Sequence, residues 1–473
     1  MTSSLLHLYQ SLPAPLRSLV ASARGYQLRS WRYGPETDRL VAEARERESW
    51  GAEAWKAWQE ARLKEVLIRA ATRVPYYREQ WAERRRRGDR ASWEQLSSWP
   101  VLEKDALRER PRAFVADDCD PRGMFHVHTS GTTGKALSIW YRKEVARRWY
   151  ALFEARCRQW HGVSRHDRWA ILGGQLVTAA QRRRPPFWVW NAGMRQLYLS
   201  SYHLAPDLIP HYLDALSRYR IRYLLGYTSC LHELALEALR RGRRDLKMAV
   251  ALTNAEPVFE YQRSAIAAAF RCPVRETYGM AEIVAAAGEC EAGSMHLWPE
   301  VSWLEVLEGG APAAAGAAGE LIATTLLNAD MPLVRYRLGD RARLSAETEP
   351  CPCGRRLPRF AEIEGRSDDV LVTPDGRRIG RLDPVFKADL PVREAQIIQE
   401  ALDRVRVRFV ATEGFDEAAG RSIIERLRQR MGAIEVILER VEQVPRGANG
   451  KFRAVVCALP PEMKTPLERR PES

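Results

Sequence analysis

Between positions 127 and 140 the chain reads VHTSGTTGKALSIW. Ser130, Thr132 and Thr133 supply hydroxyls, Gly131 and Gly134 let the backbone approach a ligand, and Lys135 adds a compact positive charge. That combination suits a polyanion, phosphate above all. It is not a GxxxxGK[ST] loop, because the first glycine is missing at that spacing and nothing after Lys135 would hold magnesium. On this stretch alone, a polar turn between two elements stays open as the alternative.

Four further stretches carry chemistry of the same kind. ETYGMAE begins at Glu276, with Thr277, Tyr278 and Gly279 following; the Tyr278 ring can stack on a base, and Glu282 offers an oxygen ligand to Mg²⁺. RYRLGD ends in Asp340, a carboxylate after a tight turn, as a ribose diol requires. GRSDD sets Arg366 beside Asp368 and Asp369. GANGKFR puts Lys451 in a second glycine loop. Arginine is the commoner cation in this chain, so Lys135 and Lys451 are not in their glycine loops by composition alone.

Cys351 and Cys353, in CPCG, lie downstream of Cys290 and His296, a set of three thiols and one imidazole that suits tetrahedral Zn²⁺. The spacing is tighter than the usual C-x₂₋₄-C, so buried thiols or a redox pair stay open. Phe187, Trp188 and Trp190 offer an aromatic wall for an acyl pocket, or ordinary packing. His126 and His128 precede the first glycine loop and read as packing or solvent-facing residues, with a role on a leaving group as the alternative.

These residues need a scaffold. Positions 1–110 read as helices, with apolar residues at helical spacing across 40–67 and a break at VPYY, where Pro75 cannot continue a helix. A strand is expected at 136–141, then a helix to about Trp160. From Arg168 short apolar runs at 169–174, 221–227, 247–255 and 273–279 alternate with helical patterns, which predicts a parallel α/β sheet. Tyr278 then falls at a strand's carboxyl end, where ligands bind in open sheets. SWLEVLE and GELIATTL predict a more antiparallel region. A boundary is expected at the GRSDD stretch, giving an N-terminal lobe over 1–366 and a small α+β domain over 367–473, with strands near 394–399 and 405–411 and a helix at 417–430.

The net charge of +14 raises a nucleic-acid reading, but the arginine runs at 84–87, 182–184 and 240–244 are short and lack interleaved aromatics, so a solvated basic surface is expected instead. No apolar run reaches 18 residues, and no transmembrane helix is expected. The opening MTSSLLHLYQSLPAPLRSLV is mildly amphipathic without the regions of a signal peptide; a peripheral helix on a membrane surface stays open. Eight cysteines in a chain of 473 residues do not make a disulfide scaffold, and a reducing cytoplasm is expected.

In their order and separation these motifs resemble the adenylate-forming superfamily of acyl-CoA synthetases, adenylation domains and luciferases, whose phosphate loop reads TSGTTGKP; here Ala136 replaces the proline. Asn254-Ala255-Glu256-Pro257, GYTSC at 226–230 and CPCGRRLP resemble the phenylacetate–CoA ligase family, particularly its relatives from capsule and exopolysaccharide gene clusters. The resemblance runs from about Pro75 onward. It implies an ATP-dependent, AMP-forming carboxylate ligase built from a large α/β lobe and a small mobile domain. Ser130, Gly131, Thr132, Thr133, Gly134 and Lys135 would hold the β- and γ-phosphates. Ala255, Glu256 and Pro257, with Glu276, Thr277, Tyr278 and Gly279, would line the adenine and α-phosphate. Glu282 would bind Mg²⁺, Asp340 the ribose with Arg366 close by, Asp368 would be the hinge, and Lys451 would bridge the substrate carboxylate and the α-phosphate. Some relatives with the same cysteine and histidine pattern hold a structural zinc, which would involve Cys290, His296, Cys351 and Cys353.

Two departures stand out: Ala281 where the family has Thr or Ser, and Leu338 where Thr is commoner. The implied partners are ATP, a carboxylic acid and CoA. An amine or sugar hydroxyl as acceptor stays open, as do a non-catalytic nucleotide-binding role in polysaccharide assembly and a homodimer.

Overall fold

A computed structural model of the chain describes residues 8–128, 137–174, 177–179, 182, 184–205, 207–346, 350–366, 371–373, 378–379, 385, 390–446 and 452–460. Helices Ala14–Arg32, Thr37–Glu46, Ala52–Arg73, Pro75–Arg86 and Lys104–Glu109 form the start. The helical pattern expected to run across 40–67 is divided by a 3₁₀ turn at Arg47–Ser49, and Gly51 caps the next helix. The turn sends two charged side chains inward. Arg47 Nε donates to Glu300 at 3.1 Å, and Glu48 accepts from the Trp160 indole at 2.9 Å and Arg355 Nε at 3.1 Å. The break at Pro75 is where the sequence puts it, because proline at a helix's first position loses no hydrogen bond.

One sheet of 13 strands dominates the N-terminal portion. Its junction is the strand Val274–Gly279. On one side Val250–Asn254, Tyr223–Tyr227, Trp169–Gly173 and Gln196–Ser200 run parallel to it, with Trp188–Asn191 antiparallel at the edge. On the other side Ala286–Glu289 pairs antiparallel, and the order continues through Met295–Leu297, Arg359–Arg366, Tyr336–Leu344 and Ala318–Thr325 to Ser302–Glu308. The mixed α/β class expected from the sequence is therefore observed, and the parallel and antiparallel parts are continuous. Helices Ile209–Arg218, Thr228–Arg240 and Glu260–Phe270 pack on the parallel half, whose strands read as apolar runs because they are buried.

The C-terminal portion has a four-stranded sheet, Glu435–Arg440, Arg404–Ala411, Val392–Ala401 and Val455–Cys457 in spatial order, and the helix Glu417–Met431. Ile397, Val405, Val407, Ile423 and Leu427 form a separate apolar core there. Neither of the two outer strands is legible in the sequence. Each pairs parallel to its neighbour, so no hairpin signal marks it.

Most described arginines of the basic runs sit in ion pairs: Arg84 with Asp89, Arg86 and Arg87 with Glu83, Arg240 and Arg241 with Glu237, Arg243 with Asp245. That is a solvated, internally neutralised face. The aromatic stretch at 187–190 belongs to the packing alternative. Phe187 is buried and stacks on His203 at 4.8 Å, and Trp190 stacks on Tyr219 at 5.2 Å.

Candidate functional site

The site is built at the carboxyl ends of Val250–Asn254 and Val274–Gly279. Ala255 leaves the first strand with φ +62°, a left-handed conformation that costs a residue bearing a Cβ on the order of 1 kcal/mol. The turn aims the Glu256 carboxylate at the first turn of the helix Thr228–Arg240. There the Ser229 amide donates to Oε2 at 2.8 Å and the Ser229 hydroxyl to Oε1 at 3.1 Å. A helix amino end favours an anion, which explains how a carboxylate so buried is tolerated. Burial pushes the Glu256 carboxyl above its ordinary range, opposed by the donors from Ser229 and Phe452 and by the charge of Arg446.

A third donor comes from the other end of the chain. The amide of Phe452, the residue after Lys451, donates to Glu256 Oε1 at 2.7 Å. Around this contact Arg446 pairs with Glu394 at 2.5 Å and lies over the Phe452 ring at 4.7 Å, and Arg393 approaches Glu233 at 3.8 Å. Glu394 is forced up to about 7, first by burial and also by the neighbouring Glu233, against the pull of Arg446.

At the next strand, Thr277 Oγ1 donates to the Thr253 carbonyl at 2.8 Å, and the Glu276 amide donates to Glu289 at 2.8 Å. The Tyr278 hydroxyl donates to Asp340 Oδ2 at 2.6 Å, and its ring meets Phe360 edge-on at 5.7 Å. Asp340 stands directly opposite Arg366 across the strand pair Tyr336–Leu344 and Arg359–Arg366. Gly339, at φ +81°, lies inside the strand Tyr336–Leu344 where its register with Ala318–Thr325 shifts, so Asp340 follows a strand irregularity and not the tight turn the sequence suggests, and the Lys104 ammonium donates to the Leu338 carbonyl beside it at 2.5 Å. Glu282 is buried and accepts from the Tyr336 hydroxyl at 3.1 Å.

The first glycine loop is carried by a hairpin. Phe125–His128 and Ser138–Tyr141 pair antiparallel, with His128 opposite Ser138. His126 stacks on Trp140 at 4.3 Å, and the Asn328 amide group donates to the Trp140 carbonyl at 2.9 Å, tying the hairpin to the body. Ser130, Gly131, Thr132, Thr133, Gly134 and Lys135 lie outside the described residues, as do Asp368 and Lys451.

The thiol and imidazole set converges. The ligand atoms of Cys290, His296, Cys351 and Cys353 all lie within 4.8 Å of one another. Cys290 and Cys351 sulfurs are 3.8 Å apart, and Cys353 Sγ is 3.4 Å from His296 Nε2. A tetrahedral zinc with ordinary bond lengths demands about 3.8 Å between two sulfurs and about 3.6 Å between sulfur and nitrogen. Two similar turns present the thiols. Gly293 donates to the Cys290 carbonyl and Gly354 to the Cys351 carbonyl, each glycine at φ +82°. His296 Nδ1 faces the Leu357 carbonyl at 3.2 Å, which leaves Nε2 for the cluster. Burial lowers His296 to about 4, so the ring is neutral at pH 7. The eight cysteines are all free thiols.

The structure thus joins Tyr278, Asp340 and the backbone of Arg366, and brings Glu256 to the residue after Lys451. Sequence reasoning gave no role to Ser229, Tyr336, Lys104, Glu233, Glu394, Arg446 or Phe452. Ser229 had a signal in GYTSC, small hydroxyl residues opening a helix. The charged residues at the junction had none, since their partners are far away in sequence.

Residues 371–458 match the CapK C-terminal domain family. The chain is 24% identical to Protein CapK of Staphylococcus aureus over 370 residues, 76% of this chain and 80% of that protein. It is 27% identical to the phenylacetate-coenzyme A ligase of Thermus thermophilus over 447 residues, 85% of this chain and 96% of that one. A crystal structure of 2-hydroxyisobutyryl-CoA ligase in the postadenylation state with 2-HIB-AMP superposes with a TM-score of 0.65 at 20% identity, covering 87% of this chain and 91% of that chain. The same ligase in the thioesterification state, with 2-HIB-AMP and CoA, reaches 0.52 at 20% identity over the same shares, 87% and 91%. The fold is that of adenylate-forming ligases. The curated relatives narrow the likeness to phenylacetate-coenzyme A ligases and Protein CapK.

Proposed function

We propose that this protein uses ATP to activate a carboxylic acid as an acyl-adenylate and then passes the acyl group to CoA. The observation that carries the reading is the contact between Glu256 and the amide beside Lys451. It holds the residue next to Lys451 against the turn after Val250–Asn254, the neighbour of the strand that carries Tyr278. The closer match to a postadenylation state than to a thioesterification state agrees with it.

In the first step a substrate carboxylate oxygen attacks the α-phosphorus and pyrophosphate leaves. Tyr278 holds the base, and Asp340, with Arg366 opposite, takes the ribose hydroxyls. Ala255, Glu256, Pro257, Glu276, Thr277 and Gly279 wall the adenine and α-phosphate. The hydroxyls, amides and ammonium of residues 130–135 hold the outgoing phosphates. Lys451 offsets the repulsion between the two anions and stabilises charge as it builds. Glu282 is the residue that would hold Mg²⁺, which supplies further charge neutralisation at the phosphates. In the second step the CoA sulfur, having lost its proton, attacks the acyl carbon and AMP leaves. Rotation about Asp368, between the lobes 1–366 and 367–473, withdraws Lys451 and admits the thiol. Cys290, His296, Cys351 and Cys353 hold a structural Zn²⁺ in this reading.

Pyrophosphate release measured across a panel of carboxylic acids, with and without CoA, tests the proposal, with Lys451→Ala as control. Release that requires ATP and an acid, with an acyl-CoA product, is expected. Release without any acyl-CoA moves the acceptor to an amine or hydroxyl. ATP binding without release for any acid overturns catalysis.

A further inference from the structure

The helix Ala14–Arg32 is inside out. A surface helix normally buries its apolar stripe and exposes its polar one. Here Arg17, Ser18, Ser22 and Gly25 face the edge strand Trp188–Asn191. Arg17 Nη1 donates to the Val177 carbonyl at 2.8 Å, Ser18 Oγ accepts from the Trp190 amide at 3.2 Å, and Ser22 Oγ accepts from the Ala192 amide at 3.0 Å. A Cβ on Gly25 would come within 1.7 Å of Asn191 Oδ1, so the helix is pressed onto the sheet edge by its small, polar side. The opposite side carries Leu16, Leu19, Val20 and Tyr26, exposed by 45%, 65%, 45% and 59%, with Leu8 at 62% just before. Among the described residues, only Ile68 and Leu239 are other large apolar side chains so exposed. Positions 16, 19, 20, 23 and 26 share one face at helical spacing, so the strip is continuous.

Charge surrounds the strip. Positions 1–35 contain no Asp or Glu, and the exposed Arg24 and Arg29 flank the strip on the helix. Beside Tyr26 and Ser30 opens a cleft of about 370 Å³, lined also by Arg29, Arg165 and His166, and an adjoining pocket adds Arg195. Two copies meeting on this face would set arginines against arginines. The nearest acids do not answer them, because Glu36 is paired with Arg147 and Asp38 with Arg165. An apolar strip rimmed by arginines is complementary to an anionic phospholipid surface, with leucines entering the acyl boundary and guanidinium groups meeting the phosphates.

We infer that this protein docks on anionic phospholipid bilayers through the outward apolar face of Ala14–Arg32. The face lies at the Trp188–Asn191 edge, separated from Val274–Gly279 by four other strands.

Co-sedimentation of the full chain with vesicles tests the inference. Wild type should pellet with vesicles containing phosphatidylglycerol, bind pure phosphatidylcholine weakly, and release as salt rises. The double variant Leu16→Glu with Leu19→Glu should lower the bound fraction at least about tenfold, and Leu239→Glu should leave it unchanged. Both variants alter exposed positions, and equal melting curves check that they fold. No binding of wild type to anionic vesicles, or equal binding by the double variant, overturns the inference. So does a concentration-dependent dimer of wild type, seen by sedimentation velocity without lipid, that the double variant abolishes; the face would then belong to a second copy.

Discussion

The Tyr278 hydroxyl sits 2.6 Å from Asp340 Oδ2, although 62 positions separate the two residues in the chain. One contributes an aromatic face and the other a carboxylate, and the bond ties Val274–Gly279 to Tyr336–Leu344, two strands that are not neighbours in the sheet. Base and sugar of a nucleotide would thus be held by one connected unit.

Tyr278→Phe keeps the ring and removes that bond. A hydrogen bond to a charged group contributes about 1.5 kcal/mol, so KM for ATP should rise roughly tenfold with kcat little changed. Steady-state pyrophosphate release at varied ATP measures this. A fall in kcat at constant KM would contradict the positioning role.

Glu256→Gln weakens the tie to the Phe452 amide while keeping its shape. Adenylate formation should slow by about tenfold or more, because the anionic acceptor for three donors is lost. Conversion of a supplied acyl-adenylate to acyl-CoA should change far less, since in the proposed second step the C-terminal portion has turned away from this contact. Single-turnover assays of the two half-reactions separate the effects.

Glu394 gives the junction a pH dependence. Its carboxyl is raised from the ordinary 4.5 to about 7 when buried near Glu233 and Arg446, so the docked arrangement binds a proton that the undocked one has released. Docking is therefore fully favoured below about 4.5, weakens as pH rises to about 7, and is level beyond. Scattering profiles across that range should show the wild type expanding as pH increases, with Glu394→Gln insensitive. The same slope in both proteins would assign it to other groups.

Native mass spectrometry should find one zinc per chain, absent after Cys351→Ser. Chelation should lower the melting temperature on the order of 5 °C. An unmetallated protein with an unchanged melting curve would leave the four side chains as packing.

Much of the fold was legible because it is written locally. The parallel strands at 223–227, 250–254 and 274–279 are apolar runs between helical patterns, and Pro75 marks its own break. The C-terminal strands 435–440 and 455–457 were not legible, because parallel partners leave no turn chemistry between them. At the site, Asp340 could be picked out by its type and by the glycine before it, although that glycine serves an irregular strand and not a turn. Glu394 and Arg446 could not, since a charge at 394 looks like any surface charge until a partner 52 positions on buries it. Arg47 and Glu48 failed for the same reason: local periodicity favoured one long helix, and distant Glu300 and Arg355 won.

The four-residue clasp has a mechanical consequence. His296 pairs in register with Arg359, the first residue of a strand whose last residue, Arg366, stands opposite Asp340 two positions before Asp368. One end of that strand is bolted beside the clasp, and its other end reaches the proposed pivot. If the clasp holds the proposed zinc and the small lobe turns as proposed, loosening the bolt should show up as wobble in that swing and blur the timing between the two half-reactions before anything unfolds.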